Sequence, residues 1–130
     1  MRRDAIMAIW LFAILASMPA RAHHSFSSVF DGKKSITLTG SVTKIEWANP
    51  HIHLYIDVKD ETGHVINWAI EMGSPNMLIR LGLTRDAMKV GDVVTIEGHL
   101  ARDGSRLANA RTVFMAGKKM FAASSQGSTL

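Results

Sequence analysis

Apolar and polar positions alternate with a period of two over most of the chain beyond residue 35, the signature of strands with one buried face. The alternation is cleanest after Asn49-Pro50. There Ile52, Leu54, Ile56 and Val58 interleave with His51, His53, Tyr55, Asp57 and Lys59. Proline fixes φ and its predecessor avoids the helical region, so Asn49-Pro50 predicts a turn into a strand over residues 51–59. Upstream, Ile36, Leu38, Gly40 and Val42 share one parity, and Ile45 and Trp47 share the other. That switch predicts a β-bulge or bend near Thr43-Lys44, and Gly40 favours the same bending. Asp60-Glu61-Thr62-Gly63 predicts a four-residue hairpin loop. A third strand over residues 64–72 sets Ile66, Trp68, Ile70 and Met72 against Val65, Asn67, Ala69 and Glu71.

The period then changes. Ser74-Pro75 supplies an N-cap and a first-turn proline, Met77, Leu78 and Leu81 an apolar stripe, and Gly82 a stop. Residues 84–88 predict a second helical turn. Strands follow over residues 93–101 and 107–115, joined by a turn at 102–105, with a short edge piece at 117–121. The order predicts a mainly β fold: a small five- to six-stranded antiparallel OB-like barrel with one short helix between strands 3 and 4.

The first 22 residues stand apart. Arg2-Arg3, the apolar run from Ala5 to Met18 and Ala20-Arg21-Ala22 fit a secretory signal peptide. The run is shorter than the roughly 20 residues that span a bilayer. The expected division is a signal peptide at 1–22, an N-terminal arm at 23–34, the barrel at 35–121 and a flexible tail at 122–130. Cleavage would remove three of 15 basic and one of 11 acidic residues, lowering the formal charge from +4 to +2. The remaining charges are mixed, with no basic stripe interleaved with aromatics, which argues against nucleic acid as a partner. Cysteine is absent, so an exported domain of this size rests on its core rather than on disulfides. The expected localisation is periplasmic or secreted, with no stable membrane span after cleavage.

Five short motifs stand out: His23-His24-Ser25-Phe26, Gly40-Ser41-Val42, Trp47-Ala48-Asn49-Pro50-His51, Gly73-Ser74-Pro75 and Val90-Gly91-Asp92. Together they resemble an uncharacterised family of small exported bacterial proteins, a domain of unknown function. The resemblance spans nearly all of the mature chain. It implies an exported OB-like domain and no assigned activity. The chain also looks distantly like periplasmic OB-fold copper carriers. Trp68 and Met72 share a strand face, but their spacing departs from that family's motif, so none of its residues carries over.

Histidine carries the candidate chemistry. Cleavage after Ala22 would leave His23 at the mature terminus, where its α-amine and imidazole can chelate one ion and His24 adds a second imidazole. Such nitrogen donors suit Cu(II), Ni(II) and Zn(II). His51 and His53, two apart on one strand face, lie roughly 6–7 Å from each other and can lean on a shared ion. The predicted metal ligands are therefore His23, His24, His51 and His53, with copper expected before zinc. The plain alternative is a polar outer strand face. His64 and His99 read as surface residues, Trp47 and Trp68 as core, and Asp57 and Glu71 as carboxylates that could lie near His53. No nucleophile elbow, phosphate loop or Cys-His pair appears, so no catalytic residue is expected. The expected function is a non-enzymatic exported metal carrier or accessory. The rival is a protein-interaction or envelope-stress module whose barrel face binds an exported protein partner.

Overall fold

The structure, a computed structural model, describes residues 26–122. The expected signal peptide, His23, His24 and most of the expected tail lie outside the described residues. Residues 26–29 are helical. The elements that follow are β1 (Phe30–Glu46), β2 (His53–Lys59), β3 (Val65–Glu71), α1 (Pro75–Arg80), β4 (Val93–Ala101), β5 (Leu107–Met115) and β6 (Lys118–Ala122). The fold is mainly β, with α1 between the third and fourth strands as the pattern predicts. Among the described residues no helix is long and apolar enough to cross a membrane.

The strands form one sheet in the order β3-β2-β1-β4-β5-β6, and β3 also pairs with β5. That extra pairing closes a ring of hydrogen bonds. It is short and parallel, Ala69 to Glu71 alongside Leu107 to Asn109, whereas every other ladder is antiparallel. β1 serves two partners, β4 through Ser41 and β2 from Ser41 onward. Its register slips between Val42 and Lys44, where the parity switch predicts a bulge. The Val90-Gly91-Asp92 segment seals that bend. Gly91 N–H donates to Val42 O and Val42 N–H to Asp92 O, both at 2.8 Å. Gly40 is needed beside it, since a Cβ there would lie 2.4 Å from Asp57 O.

The inward positions of every long strand meet in one cluster that includes Leu38, Val42, Leu54, Ile56, Trp68, Ile70, Ile96 and Val113. Trp68 is core, as expected. Trp47 packs against the cluster from its edge, beneath the guanidinium of Arg85. Ser74 caps α1, accepting at Oγ from Met77 N at 3.3 Å. Leu78 is fully buried, but Leu81 is exposed, contrary to the predicted stripe. The helix stops at Arg80, Gly82 takes φ +96°, and the redirected chain buries Leu83 instead. Residues 84–88 form a turn rather than a helix, although Met88 still reaches the core. β1 begins at Phe30, earlier than the alternation indicates, because only Phe30 pairs, with Ala101, before the register breaks up to Ser35.

Candidate functional site

His51 follows the Asn49-Pro50 turn, whose peptide bond is cis, and His53 opens β2. Ile52 between them is fully buried. Its backbone is clamped to the end of β3, with Ile52 N–H donating to Gly73 O at 3.0 Å and Met72 N–H to Ile52 O at 2.9 Å. With Ile52 fixed inward, both imidazoles stand on the outer wall, as the strand period requires.

A carboxylate lies between them. Glu71 ends β3 directly opposite His53 in the ladder. Its Oε1 is 3.3 Å from His51 Nδ1 and its Oε2 is 4.0 Å from His53 Nε2. Asn109 Nδ2 donates to the same Oε1 at 3.4 Å. The imidazoles are 31% and 32% exposed and the carboxylate 16%, so an acid sits beneath two reachable nitrogen donors. Asp57, the other acid considered, instead accepts from Asn67 Nδ2 at 2.7 Å. Glu46 flanks His53 on β1, but its carboxylate is engaged by Lys44 and by the Tyr55 hydroxyl at 3.0 Å. Those bonds hold the Glu46 carboxyl below its ordinary value, Lys44 first and Tyr55 second, and Glu46 in turn raises both Lys44 and Tyr55.

The site continues across the barrel wall. His53 pairs with Glu71, Glu71 with Asn109, and Asn109 with His99, a row over β2, β3, β5 and β4. Asn109 lies between Ala108 and Ala110, which face the core, so it points outward, yet it is only 1% exposed. His99 is not the free surface residue that its hairpin position suggests. The ring of Phe26 meets it edge-on at 6.3 Å, and Phe26 lies 5.3 Å from Phe30. His99 Nδ1 is shielded from solvent with no hydrogen-bond partner among the described residues. His64, by contrast, is exposed, its Nδ1 2.7 Å from the Thr62 hydroxyl.

Chemically, two neutral imidazoles around one carboxylate can ligate a cation directly. Alternatively, the acid can accept an N–H from one ring and leave that ring's other nitrogen free to ligate. Among the described residues, no group of three or more His, Cys, Asp and Glu side chains has the arrangement of a formed metal site. Strand parity brings His51 and His53 together as expected, whereas His23 and His24 fall outside the described residues. The profile of a family of unknown function (DUF6152) matches residues 12–110. No curated protein matches the chain.

Proposed function

The chain belongs to that family of unknown function, and from its own residues we propose an exported, periplasmic binding module of OB-like build that holds a transition metal. Copper is preferred to zinc, and the module serves as a carrier or accessory rather than as an enzyme. One observation carries the reading: His51 and His53 share an outer face and flank the Glu71 carboxylate, at 3.3 and 4.0 Å. In this reading Glu71 orients the rings and His51 and His53 supply nitrogen donors.

The remaining donors come from the arm. Phe26 packs on His99, two strands along the row from Glu71. Two strand spacings are about 10 Å. Three residues of extended chain also span about 10 Å. A mature terminus at His23 is thus within reach of the Glu71 site, and its amine and imidazole, with His24, would complete a nitrogen-rich set of the kind Cu(II) favours.

Calorimetric titration of the mature protein, beginning at His23, with Cu(II) tests the proposal. The expected dissociation constant is below about 10 μM, and His51→Ala with His53→Ala is expected to abolish or strongly weaken it. A parent protein with no such binding, or a double variant that binds like the parent, would end the reading. The mass of the exported protein checks cleavage after Ala22 independently.

A further inference from the structure

At the opposite end of the His99 row the barrel wall opens into a furrow, of which the metal reading uses only the Phe26–His99 contact that places the arm. Between the Phe30–Ala101 and Ser35–His99 pairs, β1 has four residues where β4 has only Leu100. The surplus lifts Asp31-Gly32-Lys33-Lys34 off the ladder and leaves a cleft of about 690 Å³ walled by Phe26, Phe30, His99 and Arg102. That volume is in the range of small-molecule sites. A second cleft of about 270 Å³ adjoins it, lined by Lys34, Trp68 and Arg106 among others, and Arg102 borders both.

The walls are mixed and the rim is cationic. Phe26 and His99 are half-buried and present ring surface to the furrow, whereas Phe30 and Trp68, 1% and 6% exposed, back the walls from the core. Lys33, Lys34, Arg102 and Arg106 ring the furrow, and of these four only Arg102 has an ion pair to a described residue, 3.9 Å from Asp31. The fixed groups are held in place. Arg102 Nε donates to Ser27 O at 2.6 Å, and Arg102 N–H to Val29 O at 2.8 Å. Arg106 lies over the Trp68 ring, 5.5 Å from its centroid, with its own carbonyl accepting from Ala69 N–H. Asp103, the other nearby acid, is turned to the Ser105 N–H at 2.9 Å. The furrow therefore offers cations with unused donors beside the half-buried rings of Phe26 and His99.

We infer that this furrow binds a small amphiphilic anion, a carboxylate or phosphate carrying an apolar ring. The ring seats against the Phe26 and His99 side, and the anionic group meets Arg102, Arg106 and Lys34. Cations beside two half-buried rings select for both features at once, since a bare anion gains only screened charge while the ring adds buried area.

Phenyl phosphate and inorganic phosphate, titrated into the mature protein and followed by amide chemical shifts, test this. Phenyl phosphate is expected to shift the amides of residues 30–34 and 99–106 with a dissociation constant below about 1 mM. Inorganic phosphate is expected to bind at least tenfold more weakly. Arg102→Gln removes contacts to the arm and can loosen it. The paired variant Lys34→Gln with Arg106→Gln, neither residue having an ion pair among those described, is expected to weaken binding at least tenfold with the circular dichroism spectrum unchanged. His51→Ala with His53→Ala is expected to leave it unaltered, which separates this site from the metal site. Equal affinity for the two phosphates, shifts spread over the whole surface, or a Lys34/Arg106 variant that binds like the parent would overturn the proposal.

Discussion

Glu71 decides what the histidine pair can do. Its Oε1 is shared between His51 Nδ1 and the Asn109 amide, and its Oε2 faces His53. A carboxylate that accepts an imidazole N–H fixes the tautomer and makes the other ring nitrogen a better donor. Glu71→Gln keeps the shape and can still accept from Asn109, but it removes the charge. Loss of such an orienting partner typically costs a factor of about 10 to 100 in metal affinity. The expected outcome is that loss in a Cu(II) titration, with the urea midpoint little changed. If Glu71 served only to satisfy Asn109, affinity would stay at the parent's value, and the reading of Glu71 as the orienting acid would fall.

β4 leaves no room for a side chain at Gly98, where it faces β5. The register shifts between Glu97 and Gly98, and a Cβ on Gly98 would lie 2.0 Å from Asn109 O and 2.9 Å from its carbonyl carbon. Both contacts are backbone, so relief requires the strands to separate at the point that buries Asn109. Gly98→Ala is expected to cost about 3 kcal/mol, the upper part of the overpacking range, in urea unfolding. Gly32→Ala, with nothing within 4 Å of its Cβ, is the control and is expected to stay within about 0.5 kcal/mol. At this scale the sequence was legible wherever one element sets its own period. The fourth and fifth strands, the bulge near Thr43-Lys44 and the Ser74 cap are all local signals. What depends on pairing was not. A four-residue loop at 60–63 would set Lys59 against His64 and place His53 opposite Ile70. Instead Asp60 N–H bonds His64 O at 2.9 Å, leaving a three-residue loop with Gly63 at φ +87°. That one-residue difference brings Glu71 opposite His53. His99 reads as a surface residue for a similar reason, because the ring that meets it edge-on, Phe26, comes from the far end of the chain.

Turn carboxylates tie the stability of the whole barrel to pH. Asp60 Oδ1 accepts from Thr62 Oγ1 at 2.7 Å, from Thr62 N–H at 2.8 Å and from His64 N–H at 3.0 Å. The Thr62 hydroxyl is the main cause that lowers its pKa, with the backbone donors adding to it. The Thr84 and Ser105 side chains do the same for Asp86 and Asp103. Asp60 closes the β2–β3 hairpin and Asp103 the β4–β5 hairpin, the two connections whose geometry brings β3 beside β5. A carboxyl whose folded pKa is lowered gives stability that is complete above its unfolded value and lost as pH falls through the folded one. Tyr55 and Lys44 carry the opposite sign. Their raised values contribute below the unfolded pKa and fade as pH rises through the folded ones, above about 10. All these groups lie at the surface, so salt is expected to flatten both limbs. The urea midpoint is expected to drop as pH falls below about 4 and again as it rises beyond about 10. Asp60→Asn cannot ionise and so is expected to show a lower midpoint at neutral pH together with a shallower acid limb. An Asp60→Asn protein whose acid limb matches the parent's would mean that acid acts elsewhere than at the hairpin that sets the β2–β3 register.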